Sequence, residues 1–297
     1  MGFPPSELRL PDGRCLEFTV SGPDDGTLLV SHHGTPSAGR LYEAFVEAGA
    51  ARDLRTVTYS RPGYAASTRT PRRSVADCAA DVAAVADHLG ADRFYVTGRS
   101  GGGPHALACA ARLPERVLAC ATVASVAPWG ADGLAFLDGM AEENVEEFAA
   151  TLAGPDELEA YIRPMAERIL ATEPRAMAEE LGGLISDVDA DALRGGFGAF
   201  ATELLHDGVR AGIWGWFDDD VALTDAWGFE LDDIAVPVTV WHGGRDHAVP
   251  FAHGEWLAAR ICGARAELHP EHGHLSLAVA RYADILDDLI DAGKEHA

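Results

Sequence analysis

Basic charge is scarce in this chain. Lys294 is its only lysine, and lysine and arginine together number 23 against 47 aspartates and glutamates, a formal charge of −24 at pH 7. A surface this acidic repels phosphate backbones and anionic headgroups, which argues against nucleic acid and membrane surfaces as partners. Long apolar runs are missing as well; none approaches the ~18 uncharged residues of a membrane-spanning helix. The opening MGFPPSELRL has neither the basic nor the apolar segment of a secretory signal. Cysteines are few and scattered: Cys15, Cys78, Cys109, Cys120 and Cys262, odd in number and without a C-x-x-C pair. That distribution fits reduced thiols and a cytoplasmic location better than a disulfide framework.

The rest of the composition is ordinary for a globular chain, with 47% hydrophobic and 24% charged residues. At 297 residues the chain can bury a full core, as one large domain or two modest ones. Leu8–Val20 alternates polar and apolar residues around Pro11-Asp12-Gly13, a two-strand hairpin. Short apolar runs then take turns with helical stretches. Strands are expected at Thr27–Ser31, Arg55–Tyr59, Phe94–Thr97 and Val117–Ser125, and helices at Leu41–Arg52, Ser74–Leu89 and Gly101–Leu113. In Ser74–Leu89 the residues Val75, Cys78, Val82, Val85 and Leu89 share one face, and Ser74 with Asp77 resembles a capping box. Such alternation predicts an α/β fold with a mostly parallel, doubly wound sheet.

The pattern breaks between about residues 127 and 227. That stretch is helical and acidic, with aromatic residues at Phe136, Phe148, Tyr161, Phe197, Phe200, Trp214, Trp216 and Phe217. Asp218, Asp219 and Asp220 read as a solvated charge run. Alternation resumes with strands at Val236–Trp241 and Ala264–Leu268 and helices at Phe251–Ile261 and Ser276–Ile290. The expected organisation is a core of residues 1–126 and 228–297 interrupted by a helical cap, residues 127–227. A cap between two parts of one sheet makes a natural lid over a site, and its aromatic residues suggest an apolar pocket.

Gly98-Arg99-Ser100-Gly101-Gly102 lies between an expected strand and an expected helix. A serine on so tight a turn has strained backbone angles and presents its hydroxyl above the sheet, with glycines where side chains would collide with backbone. The helix N-terminus behind it favours developing negative charge. A serine hydroxyl is a poor nucleophile without a base, and the base needs an orienting acid. Asp246, after the strand Val236–Trp241, and His274, after the strand Ala264–Leu268, fall on the same sheet edge as Ser100, where ligands bind in open α/β sheets. Backbone N–H groups of Gly101 and of Thr35, in the turn His33-Gly34-Thr35-Pro36, are placed to form an oxyanion hole.

Other assignments are weaker. His269, Glu271, His272 and His274 could suggest a metal site, but they lie in a loop with no helix register and no second ligand cluster. His272 is the substitute if His274 is not the base. Arg99 reads as pairing with an acidic neighbour, with binding of a substrate carboxylate as the alternative.

With these residues in place, the sequence resembles the α/β-hydrolase family, over nearly the whole chain outside the insertion. The hairpin, the His33-Gly34-Thr35-Pro36 turn, the Arg61-Pro62-Gly63-Tyr64 loop, the elbow at Ser100, Asp246 and His274 occur in the family's order. It looks like the capped serine-hydrolase branch, which includes esterases, proline iminopeptidases and haloperoxidase-like enzymes. The iminopeptidases carry His-Gly-Gly-Pro-Gly where this chain has His33-Gly34-Thr35-Pro36-Ser37, a departure that puts peptidase activity in doubt. The resemblance implies hydrolysis of a small to medium, largely apolar ester, lactone or thioester through an acyl-enzyme. It implies a small-molecule substrate, no cofactor and no metal. A dimer through the cap is a further possibility. The same fold also serves as a ligand receptor, and the same residues could serve a carbonyl lyase as acid and base; both stay open as alternatives.

Overall fold

The N-terminal hairpin opens the sheet of the computed structural model, which describes residues 2–296; Met1 and Ala297, the outer ends of the expected core, lie outside them. Strands β1 (Ser6–Arg9) and β2 (Cys15–Ser21) pair antiparallel around the Asp12-Gly13 turn. There follow β3 (Thr27–His32), α1 (Glu43–Ala50), β4 (Leu54–Tyr59), α2 (Cys78–His88), β5 (Phe94–Arg99), α3 (Gly103–Arg112) and β6 (Val117–Val123). Ser74 and Asp77 form a reciprocal capping box on the 3-10 turn that leads into α2, so two orphan N–H groups at that helix start are satisfied.

No strand intervenes among the described residues between β6 and the next ladder partner. The chain instead forms α4 (Glu142–Ala153), α5 (Pro155–Ala171), α6 (Met177–Glu180), α7 (Asp187–Leu193), α8 (Gly196–Arg210) and α9 (Trp214–Thr224). Then β7 (Val238–Gly243), α10 (Phe251–Arg260), β8 (Arg265–His269) and α11 (Ser276–His296) complete the chain. The eight strands run in the order β1-β2-β4-β3-β5-β6-β7-β8, parallel from β4 to β8.

The two-residue period of the strands decides what covers each face. Leu28, Val30, Phe94, Val96, Val238 and Val240 point into one cluster with Val82 and Val85 of α2, Leu107 of α3 and Leu257 of α10. Leu29, Tyr95, Ala119, Ala121 and Trp241 point the other way, against Leu277, Ile285 and Leu289 of α11. With both faces covered, the central strands carry apolar side chains on both, as parallel strands in a doubly wound sheet do. The helices between β6 and β7 have a core of their own. Leu158, Ile162, Ala166 and Ile169 line one face of α5 and meet Val209, Ile213 and Trp216. Tyr64, from the loop after β4, is buried in that cluster and links it to the carboxyl edge of the sheet.

Candidate active site

The turn at the end of β5 places Ser100. Its φ of 54° lies in the left-handed region, which non-glycine residues seldom adopt and which costs strain. The turn is tight because its glycines allow it: a Cβ on Gly98 would overlap the Gly102 carbonyl, and one on Gly102 would overlap the carbonyls of His32 and His33. A 3-10 turn, Ser100–Gly102, runs directly into α3, so the start of a helix stands behind the serine.

Thr35 follows β3 on the same edge. Its hydroxyl donates to Asp219 Oδ2 at 2.6 Å. The carbonyls of His33 and Gly34 accept from the Arg61 guanidinium at 2.5 and 3.0 Å. The turn is therefore held by its carbonyls and its threonine side chain, while the Thr35 N–H meets no backbone acceptor among the described residues. Thr35, Ser100 and Gly101 line one pocket together.

Asp246 and His274 are brought into contact from the ends of β7 and β8. Asp246 Oδ2 lies 2.8 Å from His274 Nδ1, and Asp246 Oδ1 accepts the Val249 N–H at 2.7 Å. Burial by itself would lower the His274 pKa; the Asp246 carboxylate outweighs it, with Asp189 adding, and the imidazole titrates above its ordinary value. His242, 3.6 Å from Asp246, is pushed down by burial despite Asp246, and its Nε2–H donates to the Val249 carbonyl at 2.9 Å. His272 faces Glu271 at 3.7 Å and makes no hydrogen bond to Asp246.

Ser100 and His274 share a cavity of ≈ 180 Å³ with Tyr161, Phe197 and Trp216 from the helices between β6 and β7. No hydrogen bond joins the Ser100 hydroxyl to His274 among the described residues. Such bonds commonly tighten only around substrate. Of the residues expected from sequence, Asp246 and His274 are thus in hydrogen-bond contact, Thr35 and Gly101 adjoin Ser100, and Ser100 faces His274 across the cavity.

Two sequence expectations are corrected. Asp218, Asp219 and Asp220 are buried, with relative exposures of 3%, 0% and 7%, and are not a solvated run. Three successive residues on a helix spread over more than half its circumference, so each meets a different element. Asp218 pairs with Arg69 at 2.8 Å. Asp219 accepts from Arg61, Arg73, Tyr64 and Thr35. Asp220 faces Glu147 of α4, and burial raises both carboxyls, that of Asp220 well above the usual range. The second correction is Arg99, which has no acidic partner; its guanidinium makes neither an ion pair nor a side-chain hydrogen bond among the described residues and stands 5.9 Å from the Phe197 ring.

Sequence reasoning also passed over Asp189 of α7. Its carboxylate accepts the N–H groups of His274, Leu275 and Ser276 at 3.0, 2.9 and 2.8 Å, capping the start of α11 from 85 residues upstream. The local signal was Ser186-Asp187-Val188-Asp189, in which Ser186 and Asp189 form a capping box. Nothing in that tetrapeptide points to the His274 loop.

Fold and sequence together define the class: residues 27–279 match the model of the α/β hydrolase fold, and the chain belongs to that family. It is an α/β-hydrolase enzyme. Among characterised relatives, the chain is 27% identical over 272 residues to a pimeloyl-[acyl-carrier protein] methyl ester esterase of Nitrosomonas europaea, covering 87% of this chain and 91% of that protein. It is 28% identical over 254 residues to a non-heme chloroperoxidase of Streptomyces lividans, covering 84% and 85%. In fold it is similar to the enol-lactonase of Burkholderia xenovorans LB400, with a TM-score of 0.68 at 19% identity over 96% of this chain and 100% of that one.

Proposed function

We propose that the protein is a serine hydrolase that cleaves a small to medium, largely apolar carboxylic ester, lactone or thioester. The observation that carries this reading is a serine in strained conformation, Ser100, in one cavity with a histidine whose far nitrogen is held by a buried aspartate. His274 takes the proton of the Ser100 hydroxyl, and the oxygen attacks the substrate carbonyl. Asp246 fixes the imidazole with Nδ1 protonated, leaving Nε2 to accept, and stabilises the imidazolium that forms. The N–H groups of Thr35 and Gly101 bind the oxyanion. His274 then protonates the departing alcohol or thiol; a water, deprotonated by His274 in turn, releases the acid and restores Ser100.

The esterase and lactonase names of the relatives support this substrate class, and the aromatic walls of the cavity support an apolar substrate. We read the helices between β6 and β7 as the cap that excludes water, since they supply Tyr161, Phe197 and Trp216 to the cavity. The five free cysteines fit a cytoplasmic location, and among the described residues no helix is long and apolar enough to cross a membrane.

The test is a series of p-nitrophenyl esters from acetate to decanoate, with wild type and Ser100→Ala. The expected result is turnover that depends on chain length and falls on the order of 10⁴-fold or more in the variant. Undiminished turnover by Ser100→Ala would overturn the assignment. Sustained turnover of a carbonyl substrate without a trappable acyl-enzyme would point to the lyase reading instead.

A further inference from the structure

The buried arginines of this protein, and several half-buried ones, sit on carboxylates. Arg61 and Arg73 share Asp219, Arg40 bridges Glu17 and Asp207, Arg14 holds Asp81 and Arg69 holds Asp218. Arg99, beside the nucleophile, has no such partner. It is neither fully exposed nor partnered, although the chain offers 47 acidic side chains. Its surroundings are the rings of Phe197 and Tyr282, and burial pulls its pKa down to about 10, so it remains charged at neutral pH. Half-buried in the cavity wall and without a counter-ion among the described residues, the guanidinium is free to take an anionic ligand.

The space for that ligand is present. Arg99 lines both the cavity that holds Ser100 and His274 and an adjoining one of ≈ 70 Å³, walled by Tyr42, Phe45, Phe200 and Tyr282. The Tyr282 hydroxyl also makes no side-chain hydrogen bond among the described residues, and burial holds it protonated, a second donor with no acceptor. A planar guanidinium presents paired N–H groups that match a carboxylate in two-point geometry. Arg99 immediately precedes Ser100 and lines the same cavity, so an anion held at the guanidinium and a carbonyl at the serine fit on one small substrate.

We propose that Arg99 is the carboxylate-binding residue of this site and that the substrate is an acid-bearing ester or lactone, such as the half-ester of a short dicarboxylic acid. The proposal rests on the reading of Ser100 as nucleophile and narrows its substrate class. The acidic surface does not forbid such a substrate, because a single carboxylate enters a local site that the surface charge leaves open and salt screens the approach.

The test compares monomethyl glutarate with its uncharged analogue methyl valerate in wild type, Arg99→Met and Arg99→Lys. Wild type is expected to favour the half-ester in kcat/KM. In Arg99→Met that preference disappears, through a KM for the half-ester raised roughly ten- to a hundred-fold, the scale of a lost charge-assisted hydrogen bond. Arg99→Lys recovers part of it. Binding of glutarate, by calorimetry, to Ser100→Ala and to the Ser100→Ala/Arg99→Met double variant separates the two claims. Glutarate binding that requires Arg99, without hydrolysis of either ester, would sustain the subsite and reject the hydrolase reading. Equal preference for charged and neutral esters in wild type, or glutarate binding unchanged by Arg99→Met, would overturn the proposal. A lowered melting temperature in Arg99→Met with the charge preference retained would make Arg99 a packing residue and overturn it as well.

Discussion

The hydroxyl of Thr35 donates to Asp219 Oδ2 at 2.6 Å, across 184 residues of sequence. This contact ties the candidate oxyanion turn to α9, whose Asp219 also receives Arg61, Arg73 and Tyr64. Arg61 in turn holds the carbonyls of His33 and Gly34. One carboxylate thus fixes both the side chain and, through Arg61, the backbone of the turn.

Asp219→Ala leaves two buried guanidinium groups without their partner and is expected to cost about 3–5 kcal/mol of stability, read from urea unfolding. Burial would raise the Asp219 carboxyl, but Arg61 and Arg73 outweigh it and hold it well below the usual range. A depressed folded-state pKa contributes stability above the unfolded value near 4 and loses it only as pH falls toward the folded value. The wild-type advantage over Asp219→Ala should therefore be flat from pH 5 to 8 and shrink below pH 4. An advantage that grew on acidification would contradict this role.

Asp189 carries the loop that contains His274, and its negative charge helps keep the imidazole titrating high; Asp246 does the same at closer range, while Arg99 opposes both. As general base, His274 acts when neutral, so kcat/KM rises with pH through its pKa. Asp189→Asn keeps an acceptor but removes the charge. The acid limb of the pH–rate profile should move to lower pH, with a modest loss of rate. A variant with reduced rate and an unmoved limb would make Asp189 structural only.

Glu147, half-buried, and Asp220, buried, are two facing carboxyls with no guanidinium between them, and desolvation raises both. A carboxyl with a raised folded-state pKa loses stability as pH climbs from the unfolded value to the folded one. Asp220→Asn removes one of the like charges, so the variant should gain in melting temperature relative to wild type as pH rises from 5 to 8. A gain of 1 kcal/mol corresponds to roughly 2–4 °C in a chain of this size class. Parallel curves for the two proteins would contradict the like-charge contact between the two carboxyls.

Asp246→Asn should drop kcat by about 10⁴ while leaving the fold intact, because an amide at the 2.8 Å contact favours the wrong imidazole tautomer. Circular dichroism and ester turnover on one preparation check both halves.

The sheet was legible because its signals are local. Leu28, Leu29 and Val30 read as a buried strand from their own run, and Gly98-Arg99-Ser100-Gly101-Gly102 carries its turn chemistry within five residues. Asp246 and His274 could be placed because each follows a strand end. Asp189, Asp219 and Asp220 could not, because their partners lie in other elements: His274 for Asp189, Arg61 and Arg73 for Asp219, Glu147 for Asp220. Sequence shows that three aspartates are adjacent; only helix geometry sends them in three directions.

The central claim is that Ser100 is the nucleophile. Intact-mass analysis after treatment with a fluorophosphonate, followed by peptide mapping, tests it most directly. One adduct per chain on the peptide containing Ser100, absent in Ser100→Ala and slowed in His274→Ala, is the predicted result. A chain that stays unlabelled, or is labelled elsewhere while Ser100→Ala labels equally well, would contradict it.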